Sequence, residues 1–88
     1  MLCPMGKASK PMSAREVFAR NLRQSRRLKD LSQEALALQA GLSRTYLSEV
    51  ERGTRNIAID NMGLLAETLG VPLRDLVDPG MFKVIGKG

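Results

Sequence analysis

The chain has 88 residues and a net charge of +5, with 14 basic side chains, 9 acidic ones and no histidine. This length predicts one small domain, and the single cysteine, Cys3, excludes a disulfide within the chain, which fits a reducing cytoplasm. No apolar run approaches the roughly 20 residues that span a membrane, and residues 1–12 lack the apolar core of a secretory signal. With no histidine, one cysteine and no recognisable acid/base pair of carboxylates, we expect no membrane partner, no metal site, no cofactor and no enzyme activity.

Positive charge is concentrated in the first third of the chain. Residues 1–29 carry a balance of +7, whereas the remaining residues carry a balance of −2. A basic segment of this kind suits a polyanion such as nucleic acid or an anionic lipid surface. It is equally compatible with an ordinary solvated helix face, so charge alone does not choose between them.

Residues 1–12 are predicted to form a mobile arm in front of a first helix. This helix begins at Ser13, which stands three residues before Glu16 in the spacing of a capping box, and it runs to about Lys29. Its inward stripe carries Phe18, Leu22 and Arg26.

Two short helices joined by a tight turn come next, over about residues 33–40 and 44–52. Ser32 and Ser43 are suited to cap them, because a serine hydroxyl can accept from the unpaired N–H groups of a first turn. Gly41 stands where the chain leaves the earlier helix, and a glycine adopts the positive φ needed there without steric cost. This pattern predicts a helix-turn-helix, whose second helix enters the DNA major groove.

A loop over residues 54–58 leads to a fourth helix, for which Asp60 is the predicted cap and Gly70 the end. Pro72 suits the first turn of a short fifth helix, over residues 73–77, because a helix start does not need its missing N–H. The predicted inward face of the fourth helix carries Met62, Leu65, Ala66 and Leu69. No segment shows the alternation of apolar and polar residues that is typical of a β-strand. The prediction is therefore an all-α domain over residues 13–78 with a C-terminal tail over residues 79–88.

The run Leu42-Ser43-Arg44-Thr45-Tyr46-Leu47-Ser48-Glu49-Val50-Glu51-Arg52-Gly53-Thr54-Arg55-Asn56 resembles the Xre type of DNA-binding domain, the group that includes the phage repressors and Cro. Within that group it is most similar to the controller proteins of restriction–modification systems. The resemblance covers about residues 13–78. It implies a lambda-repressor-like fold, a compact bundle of about five short helices, and a transcription regulator that binds double-stranded DNA.

The side of the third helix opposite Leu47 and Val50 is the predicted DNA-reading surface. An arginine at the start of such a helix can bond bidentately to guanine, and a threonine offers both a methyl and a hydroxyl group. The predicted base contacts are Arg44, Thr45, Ser48 and, from the resemblance, Arg55. Glu49 is disfavoured, because a carboxylate repels phosphates unless it meets a cytosine amino group. The alternative is that these are ordinary solvated side chains.

Contacts to the DNA backbone are expected from residues around the same two helices. At the start of the second helix, the side chain and N–H of Gln33 can reach a phosphate together, since a helix N-terminus favours an anion. The resemblance implies a DNA contact for Tyr46 and a phosphate contact for Asn56. The predicted backbone contacts are Gln33, Ser43, Tyr46 and Asn56. The alternatives are packing of the Tyr46 ring on the second helix and a plain turn at Asn56.

Two other groups of residues are predicted to have structural roles. Arg26 and Glu51 face inward by helical phase, and the resemblance implies an ion pair that ties the first helix to the third. The apolar residues Leu64, Leu73 and Val77 are either scattered surface residues, which are common, or a two-fold interface.

The predicted function is that of a transcription regulator that binds a near-palindromic operator as a homodimer, with recognition helices roughly 34 Å apart. By analogy, Glu34 is a candidate contact to RNA polymerase. One alternative is an antitoxin or phage-type repressor that also holds a protein partner, through tail residues such as Phe82, Val84 and Ile85. The other alternative is a helix-turn-helix interaction module that does not bind DNA.

Overall fold

A computed structural model describes residues 12–82. The helices in these residues are α1 (Ala14–Leu28), α2 (Gln33–Ala40), α3 (Arg44–Glu51), α4 (Ile59–Leu69) and α5 (Leu73–Leu76). The predicted all-α architecture of five short helices is confirmed, with no strand among the described residues. None of these helices is long and apolar enough to cross a membrane. The predicted arm, apart from Met12, and the tail residues Val84 and Ile85 lie outside the described residues.

Serine side chains begin the first three helices, as predicted. Ser13 and Glu16 form a capping box, in which Ser13 Oγ accepts from the Glu16 N–H at 3.1 Å and Glu16 Oε1 accepts from the Ser13 N–H at 2.9 Å. Ser32 and Ser43 each accept from the N–H three residues further on, at 3.0 Å. Each cap is worth about 1 kcal/mol, and together they fix where α2 and α3 begin.

The start of α4 differs from the prediction, and the assignment of Asp60 as its cap was wrong. The capping position is Ala58, which has no side-chain acceptor, and the helix begins at Ile59. Asp60 instead lies within the first turn, where its negative charge favours the positive end of the helix dipole. Ile57 packs against the core just before this point, so burial rather than a side-chain cap sets where α4 begins.

Four helices end with one residue in the left-handed region. Three of these residues are glycines, and the predicted positive φ of Gly41 is confirmed at 76°. After α1 the same position is taken by Asp30, with a φ of 61°, the one non-glycine residue with positive φ in the described range. There the Asp30 N–H donates to the carbonyl of Arg27 and the Leu31 N–H donates to that of Arg26, so a Schellman motif forms without glycine.

All five helices contribute to one core. Its fully buried leucines are Leu22, Leu36, Leu47, Leu65, Leu69 and Leu76. Ala37 is also buried, and its small side chain lets α3 approach α2 closely. Leu47 and Val50 fix the inward side of α3 in this core, so the opposite side of the helix faces outward.

A buried asparagine joins the beginning of the fold to its end. Asn21 of α1 is fully buried, and its Nδ2 donates to the carbonyl oxygens of Asp75, Leu76 and Asp78 at 3.3, 3.1 and 2.8 Å. Its Oδ1 accepts from Arg20, whose Nη2 also donates to the Pro79 carbonyl at 2.8 Å. The last carbonyls of α5 therefore find their donors on α1.

The packed structure extends past the predicted boundary at residue 78. Phe82 is buried, and with Gln24, Arg27 and Leu28 it lines a cavity of about 260 Å³ at the end of α1. Phe82, which the alternative with a protein partner placed on that partner, instead packs within its own chain. Its burial and the Arg20 contact to Pro79 make this segment part of the domain.

Candidate nucleic-acid interface

A buried ion pair joins α1 to α3, the helix that carries three of the four predicted base contacts. Arg26 Nε lies 2.7 Å from Glu51 Oε2, and Arg26 Nη2 donates to Glu51 Oε1 at 2.9 Å. The structure thus brings together the two residues predicted to pair, with 11% of the Arg26 side chain and 1% of the Glu51 side chain exposed. Because the two side chains are joined by two parallel bonds, the pair restricts the orientation of α3 relative to α1 as well as the distance between them.

Further donors converge on the same glutamate. Gln33 Nε2 donates to Glu51 Oε1 at 3.0 Å, and Arg23 donates to the backbone carbonyl of Glu51. The Gln33 side chain, predicted to meet a phosphate, therefore lies against Glu51 and connects α2 to α3. Its backbone N–H remains in the first turn of α2, where a helix leaves such groups unpaired.

The start of α3 presents two side chains to solvent. Arg44 and Thr45 are exposed, and neither side chain forms a hydrogen bond or an ion pair with another residue of the described range. Ser48 is half-buried one turn further on, and its Oγ accepts from Arg52 Nη1 at 3.2 Å. Arg44 and Thr45 are consequently available to a ligand without first breaking a contact, whereas Ser48 has a competing partner.

Tyr46 lies at the centre of a group of four side chains, which we term the Tyr46 cluster: Tyr46, Glu49, Arg55 and Asn61. The Tyr46 ring packs against the core, and its hydroxyl accepts from Asn61 Nδ2 of α4 at 3.1 Å. The guanidinium of Arg55 lies over the ring, 5.0 Å from its centroid, and its Nη1 is 2.8 Å from Glu49 Oε1. The hydroxyl is therefore held by α4, and one face of the ring is covered by Arg55 from the loop between α3 and α4.

The cluster borders a shallow cavity of about 350 Å³. This cavity runs from the turn at Leu42 and Ser43, past Thr45, to Arg55 and Asn61. Four predicted contact residues, Ser43, Thr45, Tyr46 and Arg55, thus line one concave surface. Such a surface, with helix N-termini and a guanidinium at its edge, is suited to an anionic ligand.

Asn56 lies on another part of the surface. It is exposed and lines a separate cavity of about 140 Å³ with Ala14 and Arg15, at the start of α1. Arg15 was not singled out from the sequence, and its charge adds to the basic character of this edge.

Sequence reasoning missed Asn61 and gave Glu49 no partner. Asn61 is fifteen residues from Tyr46, and nothing in the sequence distinguishes it from the other polar residues of the fourth helix. The signal that could have found the Glu49 contact was the basic residue Arg55, which follows it across a short turn.

The three predicted interface leucine and valine residues are not equivalent. Leu64 and Val77 are 40% and 45% exposed, whereas Leu73 is half-buried and packs against the core. Leu28 and Leu38 are more exposed than either, at 75% and 80%, and belong to α1 and α2.

The order and packing of these elements occur in a known family. The helix-turn-helix family model matches residues 22–76, more than half of the chain. The chain belongs to the helix-turn-helix family. The match begins within α1 and ends with α5, so it includes the ion pair, the Tyr46 cluster and most of the core.

Individual relatives agree with this assignment and with the predicted likeness to controller proteins. Control protein C.BamHI from Bacillus amyloliquefaciens is 45% identical over 73 residues, which cover 82% of this chain and 86% of the relative. The structure of the restriction-modification controller protein C.AhdI from Aeromonas hydrophila matches with a TM-score of 0.69 and 44% identity, over 70% of this chain and 94% of that one. The regulator of biofilm formation SinR, solved in complex with DNA, matches with a TM-score of 0.67 and 31% identity, over 69% of this chain and 98% of that one.

Proposed function

We propose that this protein is a sequence-specific transcription regulator that acts in the cytoplasm on double-stranded DNA and uses α3 as its recognition helix. The observation that carries the proposal is the two-sided character of α3. Its inner side is held by Leu47, Val50 and the buried Glu51, while the Arg44 and Thr45 side chains project from its start with no bonded partner among residues 12–82. The DNA complex of the structural relative SinR supports the same use of the fold.

The proposed base contacts are Arg44, Thr45, Ser48 and Arg55. Arg44 is the principal reader, because its guanidinium is exposed and can meet guanine O6 and N7 together. The proposed backbone contacts are Gln33, Ser43, Tyr46 and Asn56. For Gln33 and Ser43 the contacting groups are at the starts of α2 and α3, where unpaired N–H groups favour a phosphate.

We propose that the active form is a homodimer on a near-palindromic operator. One recognition helix reads too few base pairs for useful discrimination, and a two-fold dimer doubles the site. The exposed Leu64 and Val77 supply apolar surface on α4 and after α5, with Leu73 at its buried edge. An isologous contact there leaves both α3 helices free to face one side of the duplex.

A contact to RNA polymerase is proposed for α2 when the protein is bound beside a promoter. Glu34 and Leu38 are exposed and stand four residues apart, so they share the outward face of this helix. Most of the Leu38 side chain is accessible to solvent, with 80% exposed, which gives a protein partner an apolar anchor beside a negative charge.

Selection of bound duplexes from a random pool tests the proposed function. We expect enrichment of one near-palindromic sequence with half-site centres about one helical turn apart. The same selection with the Arg44→Ala variant should lose the preference at one base pair in each half-site. A pool that shows no enrichment after several rounds with the parent chain would contradict sequence-specific binding.

A further inference from the structure

The side chain of Glu49 gives Arg55 a partner within the protein. Its Oε1 lies 2.8 Å from Arg55 Nη1, and the guanidinium also lies over the Tyr46 ring at 5.0 Å, a distance at which a cation is attracted to the aromatic face. The Glu49 and Arg55 side chains are 31% and 51% exposed, so the pair is open to solvent and to a ligand. The charge of Arg55 is thus compensated before any DNA arrives.

The loop that carries Arg55 is anchored to the same residue. The backbone carbonyl of Glu49 accepts from the Thr54 N–H at 3.1 Å and from Thr54 Oγ1 at 3.2 Å. Because Thr54 immediately precedes Arg55, these bonds place the arginine within reach of the Glu49 carboxylate. Glu49 therefore acts on Arg55 in two ways. Its backbone carbonyl positions the loop that carries Arg55, and its carboxylate pairs with the Arg55 guanidinium.

We propose that Glu49 competes with DNA for Arg55: it keeps the guanidinium from non-specific phosphates, yields it only to a matching base edge, and so lowers the affinity for both kinds of DNA. This inference rests on the proposed function, because it supposes that the surface around Arg55 meets DNA. On random DNA a phosphate can replace the Glu49 carboxylate as the partner of Arg55, and the new ionic contact is similar in kind to the old one. The exchange gains little, so Arg55 adds little to non-specific affinity.

A guanine edge in the operator offers a stronger contact. A good bidentate arginine–guanine pair favours the right base by about 5- to 150-fold, whereas an exposed ion pair is worth less than about fivefold in an equilibrium constant. The base contact therefore overcomes the pairing with Glu49, and the phosphate contact does not. Because the pairing must be broken on the operator, the carboxylate weakens operator binding as well as random binding, without touching the DNA itself.

The test is the Glu49→Gln variant, which keeps the shape of the side chain and removes its charge. Binding of the full chain is measured by fluorescence anisotropy on a random-sequence duplex and on the selected operator, over a series of salt concentrations. Glu67→Gln is the matched control, since Glu67 is exposed on α4 and forms no side-chain bond among residues 12–82. It makes the same change in net charge and leaves Arg55 paired.

We expect Glu49→Gln to bind the random duplex about fivefold more tightly than Glu67→Gln does, and the salt slope to steepen by about one phosphate contact per protomer. Operator affinity should rise by a similar factor, up to about fivefold, because the base contact no longer has to break the pairing with Glu49. In the Arg55→Ala background the substitution of Glu49 should give no gain on random DNA beyond that of Glu67→Gln, because the residue that Glu49 restrains is gone.

Three outcomes would overturn the inference, and they are distinguishable from one another. If the parent prefers its operator but Glu49→Gln and Glu67→Gln bind random DNA equally, Glu49 has no such role and the proposed function stands. If the parent binds no duplex, both the inference and the proposed function fail. A gain that persists in the Arg55→Ala background would also overturn the inference, since the carboxylate would then act by general repulsion.

Discussion

Arg26 and Glu51 join α1 to α3 through a two-pronged ion pair, with hydrogen bonds of 2.7 and 2.9 Å, in which the carboxylate is almost wholly shielded from water. Glu51 belongs to the proposed recognition helix, so the pair fixes the orientation of the helix from its inner side. The geometry of the proposed DNA-facing side is therefore set by a contact in the interior of the fold.

The Arg26→Met substitution should destabilise the fold by about 3–5 kcal/mol, because it leaves the Glu51 carboxylate buried without its charged partner. Adding Glu51→Leu should restore much of the loss, since two apolar side chains need no pairing. Urea unfolding measures both effects, and Arg27→Met, at an exposed position of the same helix, is the control. Arg26→Met as stable as this control would contradict the structural importance of the pair.

Asn21→Leu should cost about 2–4 kcal/mol of unfolding free energy, because the three carbonyls that accept from Nδ2 lose a buried donor. The comparison is Gln24→Leu, a half-buried position on the same helix whose side chain forms no hydrogen bond among residues 12–82. Hydrogen exchange should also accelerate selectively in α5 and in the Pro79 segment. A uniform change across the domain would show that Asn21 does not act as a local link.

Asp30→Gly should stabilise the protein by about 1 kcal/mol, because glycine accepts the φ of 61° without the steric cost that a Cβ atom brings. Asp30→Asn separates this effect from charge, since it removes the carboxylate from the negative end of the α1 dipole and keeps the Cβ atom. We expect thermal melts to rank glycine above asparagine and asparagine above the parent. A glycine variant less stable than the parent would show that the Asp30 side chain has a compensating role.

The double substitution Leu64→Glu with Val77→Glu should convert a homodimer into a folded monomer. Both side chains are exposed, so the charges should disrupt an interface with little effect on the core, whereas Leu73→Glu would disturb packing as well. Leu28→Glu with Leu38→Glu adds the same charge at more exposed positions and should leave the dimer intact. Sedimentation at micromolar concentration distinguishes these cases, and a monomeric parent would refute the proposed dimer.

Features that depend on a few neighbouring residues were predictable from the sequence. Ser32, Ser43 and Gly41 act on backbone groups within a few positions of themselves, so their spacing is enough to predict where α2 begins and ends and where α3 begins. The same local rule failed at Asp60, because it ranks capping side chains and does not include the packing of Ile57, which starts α4 at Ile59. Asp30 was equally hidden, since its left-handed conformation is unusual for a residue other than glycine.

Contacts between distant parts of the chain were predictable only where the family resemblance supplied them. Arg26 and Glu51 were paired in this way, although they are 25 residues apart. Asn21 and the carbonyls it caps are more than 50 residues apart, and nothing in the local pattern marks either partner. The Asn61 bond to Tyr46 likewise depends on how α4 packs beside α3, which helical periodicity alone does not specify.

The most direct test of the central claim is the affinity of Arg44→Ala for the selected operator and for random DNA, measured side by side with Arg27→Ala as the charge-matched control. If α3 reads bases through Arg44, the variant should lose about 1–3 kcal/mol of binding per half-site on the operator, while its affinity for random DNA should fall no more than that of the control. An equal loss on both duplexes would contradict the account, because Arg44 would then contribute only its charge.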